Sequence, residues 1–539
     1  MKACSQPRSS EEISNIMRRV RSRNTTPELA FRQALWAKGL RYKLHHGELP
    51  GKPDIVFPAK RLAVFVDGDY WHGGQSVRRN LASLEEQFSK SQSISYWLEK
   101  IRGNMNRDCV STARLLASGW RVLRFWASEI EKNLDRCVEM TLAAARNEIP
   151  PTPLAHLPYK TFAEFFAGIG LVRMALERQG WTVAYANDVD PKKKEMYDTH
   201  FQEESLFHLG DIHHIRSDEI PCVTLATASF PCNDLSVAGA RRGLKGKQSS
   251  AFWGLVSAIE GMGGRRPPLI LLENVTGFLT SHKGRDLSEA MLALNRLGYS
   301  IDAFVLDAAQ FVPQSRERLF VVAVLNDGYQ APGMLDAMSL QEDQLRPRRL
   351  VDFIKKHPEI RWKIRKLPKP PQKRASLPDV LQDLPDESSA WWSRERAEYL
   401  LNQMSPRHRE VAELMIAGAA WSYGTVFRRI RNGQSRAELR FDGIAGCLRT
   451  PRGGSGRQIL FKAGHGKYFA RLLTPRECAR LMGADDYRII VPANQALFGF
   501  GDAVCVPVIE WIGQYYLNPL VQELLHGRLL HEQPADKRQ

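Results

Sequence analysis

At 539 residues the chain exceeds what one core can hold, and roughly 150 residues per compact unit gives an expectation of about three. Its 43% hydrophobic residues suffice to build them, while 76 Lys and Arg against 59 Asp and Glu leave a charge of +17 that favours a polyanionic partner, nucleic acid first. Eight scattered cysteines without a Cys-x-x-Cys pair argue against a zinc ribbon or disulfide framework, and no leader-like core or run near ~18 apolar residues points to secretion or a membrane, so a soluble cytoplasmic chain is expected.

In chain order, Ser9-Ser10-Glu11-Glu12 reads as a helix entry before Ile13, Met17 and Val20, interleaved with Arg18, Arg19, Arg21 and Arg23. That basic helix is either an arm along phosphates or a solvated face. Thr26-Pro27-Glu28 then caps a helix with Leu29, Phe31 and Leu35 on its apolar face. Two β-rich runs follow, Leu49 to Phe57 and Arg61 to Asp67, joined by a brief turn. They predict a hairpin with Asp54 near the start of one strand and Asp67 near the end of the other. Two carboxylates so placed can share one Mg²⁺, which takes hard oxygen ligands and keeps waters that can be activated against a phosphodiester. His72, five residues past Asp67, is in reach as general base.

These residues, with Tyr96-Trp97-Leu98-Glu99-Lys100-Ile101 and Gly119-Trp120-Arg121-Val122-Leu123, resemble the very-short-patch-repair endonucleases, which cut one strand beside a T·G mismatch. The resemblance implies a small restriction-endonuclease-like α/β domain over residues 1–145, with Asp54 as metal ligand, Glu28 supporting the metal-bound water and His72 as base. The Val66 carbonyl or the Asp67 side chain would complete the Mg²⁺ shell. Tyr70, Trp71 and Trp97 are either wedges into the base stack or core packing. Where zinc-carrying members supply Cys and His, this chain has Asp69, Gly74, Ser76 and Ser128, so no zinc is expected. A degenerate nuclease kept for DNA binding is the alternative.

After Trp126, the apolar positions Ile130, Leu134, Val138 and Leu142 predict a closing helix, and the proline-rich stretch 146–160 predicts a linker. Thr161 to Gly170 and Thr182 to Asp188 then read as strand, glycine turn, helix and a strand ending in an acid. Gly168 and Gly170 permit close approach to a ligand, and Asp188 can accept both ribose hydroxyls. With no third glycine for a pyrophosphate, an adenosine-type cofactor is expected. Asp211 either reads the adenine amino group, with Ile212 packed on the ring, or caps a helix. The apolar run Cys222 to Ala226 leads to Pro231-Cys232 at the carboxyl end of a strand, where a cysteine is either a rim nucleophile or a packed core residue.

Downstream come Glu273-Asn274-Val275 closing the strand from Pro268, then Gln314-Ser315-Arg316-Glu317-Arg318, Leu473-Thr474-Pro475-Arg476-Glu477 and Gly501-Asp502-Ala503-Val504. With Phe166-Ala167-Gly168-Ile169-Gly170 and Pro231-Cys232, this order and spacing resemble the cytosine-5 DNA methyltransferases over residues 160 to 520. The resemblance implies an S-adenosylmethionine-dependent Rossmann-like catalytic domain (161–330), a mixed target-recognition domain (331–465) and a C-terminal return to the catalytic domain (466–539). Because C5 of cytosine is a poor nucleophile, a thiolate must first add at C6. Cys232 is that thiolate, Glu273 meets N3 and the exocyclic amine, and Arg316 and Arg318 hold the base carbonyl or neighbouring phosphates. Phe166 would pack on the adenine, Asp188 on the ribose, and Asp502 belongs to the cofactor set.

The target base must leave the duplex, and the basic stretch Ser236 to Phe252 is either a loop closing on flipped DNA or a solvated surface loop. Asn233 stands where members usually have Gln, and Asp502 where many have Asn. The basic segments Lys363 to Arg374, Arg428 to Arg431 and Arg449 to Gln458 suit double-stranded DNA. Arg471 to Met482 and Val504 to Tyr516 are expected as helices. The whole reads as a cytosine-5 methyltransferase fused to a Mg²⁺-dependent T·G endonuclease, with mismatch-repair or restriction–modification proteins as candidate partners. A restriction-type nuclease, or a DNA-binding regulator with inactive sites, are the rival readings.

Overall fold

The computed structural model describes residues 24–75, 87–88, 94–117, 120–146, 160–203, 205–231, 251–325, 334–371, 375–431, 433–450, 456–521 and 523. The basic arm before residue 24, Ser76, most of the linker, Cys232, Asn233 and the basic loop as far as Ser250 lie outside the described residues, as do residues 372–374 and 451–455. Two compact units emerge, where length alone suggested about three. Met1–Thr161, with Arg216–Thr224 and Gly261–Arg266, forms the first, and Phe162–Ile215, Leu225–Glu260 and Pro267–Gln539 form the second.

In the first unit, helix α1 (Thr26–Ala37) is capped by Thr25, one residue earlier than the sequence suggested, and Glu28 reaches back to the Thr25 N–H at 3.3 Å. Pro27 in the first turn gives up no hydrogen bond. Strands β1 (Lys43–Leu44), β2 (Ile55–Phe57), β3 (Leu62–Asp67) and β4 (Arg121–Trp126) form one sheet in that order. The β2–β3 hairpin pairs Ile55 with Val64 and Phe57 with Leu62, and β4 runs parallel to β3. A parallel neighbour needs a crossover, which α2 (Ile94–Ala117) supplies. The expected closing helix is two pieces, α3 (Ala127–Lys132) and α4 (Leu134–Ala145), because Asn133 between them leaves helical geometry at φ −140°, ψ 53°. Phe31, Leu35, Ile55, Val64, Phe125, Ile130 and Val138 share one core.

The second unit is built on a seven-stranded sheet, order β10-β11-β9-β8-β5-β6-β7. The strands are β5 (Thr161–Phe165), β6 (Thr182–Asp188), β7 (Phe207–Leu209), β8 (Leu225–Ala228), β9 (Leu269–Val275), β10 (Tyr299–Asp307) and β11 (Glu317–Leu325). Parallel pairing joins β5 to β8, β8 to β9 and β6 to β7, while β11 is antiparallel to both neighbours. Helices α5 (Leu171–Arg178), α6 (Pro191–Phe201), α7 (Ala251–Gly261) and α8 (Arg285–Arg296) alternate with the strands. The buried apolar run Leu269 to Leu272 is what a sheet covered on both faces demands. The chain leaves β5 towards β6 and β7, then returns to β8 on the other side, so the crevice at the carboxyl ends of β5 and β8 is a topological switch point.

Further on, β12 (Met334–Leu335) pairs with β13 (Ile364–Arg365), with α9 (Arg348–Lys356) between them in sequence. Helices α10 (Arg394–Asn402) and α11 (Pro406–Ala417) pack their Leu400 and Ala412 on an antiparallel sheet of order β15-β14-β16-β17. Its strands are β14 (Ser422–Arg431), β15 (Gln434–Arg440), β16 (Ile459–Gly464) and β17 (Lys467–Leu472). Arg471, expected at a helix start, instead closes β17, and α12 (Pro475–Leu481) begins after a Thr474 cap. Helices α13 (Ala493–Asp502) and α14 (Val506–Ile512) complete the return. The stretch Ala493–Val521 is long and apolar enough to cross a membrane by length and composition, which the sequence reading did not anticipate. Its Val506, Ile509, Ile512, Tyr516 and Leu517 are buried and α14 packs on α5, the behaviour of a core helix.

Candidate active sites

In the first unit the hairpin carries two clusters, each with ligand atoms close enough to share a cation. Glu28, His45 and Asp54 make one. His45 Nε2 lies 3.6 Å from Glu28 Oε1 and its Nδ1 3.8 Å from Asp54 Oδ1. Arg32, one turn beyond Glu28 on α1, hydrogen-bonds Glu28 and stands 3.0 Å from His45 Nε2. Asp54 accepts the Val66 N–H at 2.8 Å, which ties the residue before β2 to the end of β3. Burial, reinforced by the charge of Asp67, pushes the Asp54 carboxyl up to about 6 against the pull of that N–H and Arg124.

Asp67, His72 and Asp108 make the second cluster. His72 Nδ1 hydrogen-bonds Asp108 and lies 3.7 Å from Asp67. Burial pulls the imidazole pKa down, but the hydrogen bond to Asp108 and the charge of Asp67 outweigh it and leave it raised. Arg124 Nε and Nη2 donate to both oxygens of Asp67 at 2.7 and 2.6 Å, and Nη1 donates to Thr112 at 3.1 Å. The two acids offered to one cation thus sit in separate clusters, and the Asp67 carboxylate is already held by a guanidinium.

Tyr70, Trp71 and Trp97 are half-buried and pack on one another with centroids 5.0 to 6.0 Å apart, beside Lys100. At positions where zinc ligands would be needed, Asp69 accepts the Ser128 N–H and hydroxyl at 3.0 and 2.5 Å, and a Cβ on Gly74 would strike Trp126.

In the second unit, Phe166, Gly168, Asp188, Asp211, Ile212, Glu273, Arg316, Arg318 and Asp502 line one cavity of about 460 Å³. Gly168 at φ +58° turns the chain out of β5 and donates its N–H to Asp188 Oδ2 at 2.9 Å. Asp188 Oδ1 accepts the Asp190 N–H at 3.0 Å, so the carboxylate is fixed at the end of β6 with both oxygens oriented. Phe166 holds a positive φ of 55°, strain of about 1–3 kcal/mol tolerated at functional turns. Asp211 accepts the His213 N–H at 3.0 Å and caps the short turn Ile212–His214, the second of the two readings offered for it, while still lining the cavity. Buried Asn187 donates to the His208 and Gly210 carbonyls at 2.9 Å each and fixes that turn. Asp502 lies 3.1 Å from Lys193 Nζ. Gly170 is not among the lining residues. At φ +80°, with Phe201 and Tyr197 where a Cβ would go, it serves helix packing instead.

Glu273 on β9 and Arg318 on β11 meet at the other end of the cavity, Arg318 Nε 2.8 Å from Glu273 Oε1. Arg316 behaves differently from its neighbour two residues on. Its Nη1 donates to the Leu448 carbonyl at 2.9 Å and Cys447 Sγ at 3.4 Å, and its Nη2 to the Ala503 and Gly501 carbonyls at 2.6 and 3.3 Å. Gln314, fully buried, donates to Leu481 O at 2.8 Å and accepts from Leu448 N–H at 2.9 Å. The first two members of the Gln-x-Arg-x-Arg run therefore brace the chain, and the third faces Glu273.

Sequence reasoning missed His45, Asp108, Arg124, Lys193 and Asn187. A histidine and aspartates are legible as titratable types, but only the fold brings His45 to Glu28 or Asp108 to His72.

Residues 160–517 match the family described as C-5 cytosine-specific DNA methylase, and residues 8–78 match DNA mismatch endonuclease Vsr. The type II methyltransferase M.HhaI of Haemophilus parahaemolyticus is 27% identical over 359 residues, 65% of this chain and 92% of that protein. The type II nicking enzyme V.NmeDIP of Neisseria meningitidis serogroup C is 38% identical over 138 residues, 26% of this chain and 88% of its own length. The type II nicking enzyme V.XorIIP of Xanthomonas oryzae pv. oryzae is 45% identical over 115 residues, 21% of this chain and 79% of its own.

Proposed function

The chain belongs to the C-5 cytosine-specific DNA methylases and carries a Vsr-type nicking endonuclease domain at its N-terminal end, and from that premise we propose how its residues divide the work. The methylase half acts on a cytosine swung out of a specific duplex sequence, because C5 and C6 are unreachable inside the stack. The observation that carries this reading is the single cavity lined at one end by Phe166, Asp188 and Asp211 and at the other by Glu273 and Arg318. It fits S-adenosylmethionine, with acceptors at Asp188 for a ribose and, at Gly168, no side chain between the backbone and the cavity. When bound, the cofactor supplies the methyl group from its sulfonium.

The chain's own residues do the rest. Cys232 adds as thiolate to C6, and Glu273, held by Arg318, hydrogen-bonds N3 and the exocyclic amine as charge enters the ring. After transfer, the C5 proton is lost to a base or water and Cys232 leaves by elimination.

In the endonuclease half, Asp54 and the Val66 carbonyl would hold Mg²⁺, which would supply an activated water; Glu28 would support that water and His72, steadied by Asp108, would serve as the base. The fit rests on Asp54, a carboxylate whose charge is disfavoured by burial and which a cation would relieve. A T·G mismatch is the substrate that the methylase half's product generates on deamination, and Tyr70, Trp71 and Trp97 would wedge beside it. Residues 1–145, 146–160, 161–330, 331–465 and 466–539 are taken as endonuclease, linker, catalytic, recognition and returning segments.

The test is covalent capture on duplex DNA containing 5-fluorocytosine, where the C5 substituent cannot leave. Wild type is expected to be trapped in the presence of S-adenosylmethionine and Cys232→Ser is not. Equal behaviour of the two would overturn the role of Cys232.

A further inference from the structure

Arg428 on β14 stands opposite Ala437 of β15 and two residues past Val426. Side chains alternate along a strand, so it shares the face on which α10 and α11 pack, with those two buried residues. Its neighbour Arg429 faces the other way, opposite Arg436. From α10, Arg396 reaches the same region. Arg396 Cζ lies 4.0 Å and Arg428 Cζ 5.8 Å from the centroid of the Trp392 ring, and the Trp392 main chain is tied to the Ala470 carbonyl of β17 at 2.9 Å. One fixed indole therefore orders two guanidiniums.

Other arginines nearby are held by acids: Arg409 donates to Glu413 at 3.0 Å, and Arg440 to both oxygens of Asp442 at 2.7 and 2.8 Å. Among the described residues, neither Arg396 nor Arg428 has an acid partner, and the buried Nε of Arg428 has no hydrogen-bond partner at all. Burial and the charge of Arg396 together push the Arg428 pKa down. Like charges brought together in this way cost stability until an anion arrives.

From this juxtaposition we infer that Arg396 and Arg428, ordered on Trp392, seat the phosphodiester backbone of the duplex on the helix-bearing side of the recognition sheet. The inference rests on duplex DNA being the substrate. A guanidinium is weakly hydrated and its planar fork matches phosphate oxygens, and a chain of charge +17 attracts such a polyanion. Exposed Tyr399, three residues on from Arg396, faces Arg428 and adds a hydroxyl donor for the same backbone. Contacts to phosphate position the duplex without reading its sequence, so this seat acts alike on every target.

Fluorescence anisotropy of a mixed-sequence duplex, titrated with the full chain over a range of salt concentrations, tests this. Each phosphate neutralised contributes about 0.9 to the slope of log affinity against log salt. Arg428→Gln is expected to weaken binding by about ten- to a hundredfold, the worth of a charged hydrogen bond, and to flatten that slope by about 0.9. Arg396→Gln, at an exposed position, should do the same and serves if Arg428→Gln does not fold. Arg428→Lys keeps the charge without the fork and should recover only part of the loss. Arg409→Gln removes an equal charge from a guanidinium already held by an acid, and should stay within about twofold of wild type. A wild-type slope in both glutamine variants, or an equal loss in Arg409→Gln, overturns the inference. So does a change of oligomeric state in Arg428→Gln with duplex binding intact, which would assign the seat to an acidic patch on a second copy. Failure of wild type to bind the duplex overturns the DNA reading itself, and this seat with it.

Discussion

Arg124 holds Asp67 through both carboxyl oxygens, and its Nη2 lies 2.9 Å from Asp108 as well, so one buried guanidinium neutralises two acids beside His72. Asp54, by contrast, is met by a main-chain N–H. The pair of acids at the ends of the hairpin is therefore unequal: one is met by a main-chain N–H and the His45 ring, the other by a guanidinium.

Asp54→Asn is expected to lower divalent-cation-dependent nicking of a T·G duplex by at least about 100-fold, the several kcal/mol a metal supplies to phosphodiester attack. Methylation should be unaffected. A strand-nicking assay beside bisulfite sequencing of the same preparation reads both, and retained nicking would remove Asp54 from the site.

Arg124→Met strands Asp67 in the interior, while Asp108 keeps its hydrogen bond to His72, and breaking a buried pair costs about 3–5 kcal/mol. Denaturant unfolding of the first unit should show that loss. The double variant Asp67→Leu with Arg124→Met should regain much of it, since the uncompensated charge is gone. A double variant as unstable as the single would contradict this account.

Arg316 and Arg318 separate a bracing arginine from a site arginine. Arg316→Lys cannot fan to three carbonyls and should cost about 2–4 kcal/mol of stability at about 1 kcal/mol per lost bond or more. Arg318→Lys should leave melting nearly unchanged and slow single-turnover methyl transfer by about 10- to 100-fold, because Glu273 loses its fixed partner. Reversed outcomes would exchange the two roles.

Glu164 sets a pH dependence whose sign follows from its raised pKa. The carboxyl ordinarily ionises near 4.5 and in the folded chain near 8, so the folded state holds its proton more tightly. That contribution is full below about pH 4.5, declines as pH rises, and is gone above about 8. Melting of the cofactor-free second unit should fall between pH 5 and 8.5 more steeply in wild type than in Glu164→Gln. The two should converge at low pH, with the variant more stable at high pH. Parallel curves would show that Glu164 is not buried as an acid.

The sequence was legible where chemistry is local. Asp188 follows Gly168 across one strand–helix–strand unit, and Glu273 closes an apolar run, so a period and a turn residue locate them. Asp54 and Asp67 were visible for the same reason, as the ends of one hairpin. Arg124 was not, because it lies 57 residues from Asp67 and its neighbours read as an ordinary strand. Glu164 was hidden inside a β-run where an acid looks like an exposed alternate position, and only residues distant in sequence, such as Tyr197 and Tyr487, bury it. Arg316 and Arg318 looked equivalent by type and spacing. Their difference is set by carbonyls more than 130 residues downstream.

Those carbonyls have a consequence for how such enzymes diversify. The acceptors that lock Arg316 to the segment between β15 and β16 and to the returning helices include main-chain atoms of Leu448, Gly501 and Ala503, beside the Cys447 sulfur. Gln314 grips Leu448 and Leu481 through main-chain groups too. The joint is thus fastened mostly through main-chain atoms, beside the sulfurs of Cys447 and Met482. Substitutions between β11 and Leu448 that keep these main-chain positions should leave the same two residues docked, so that segment can vary while the frame around Arg316 is left alone.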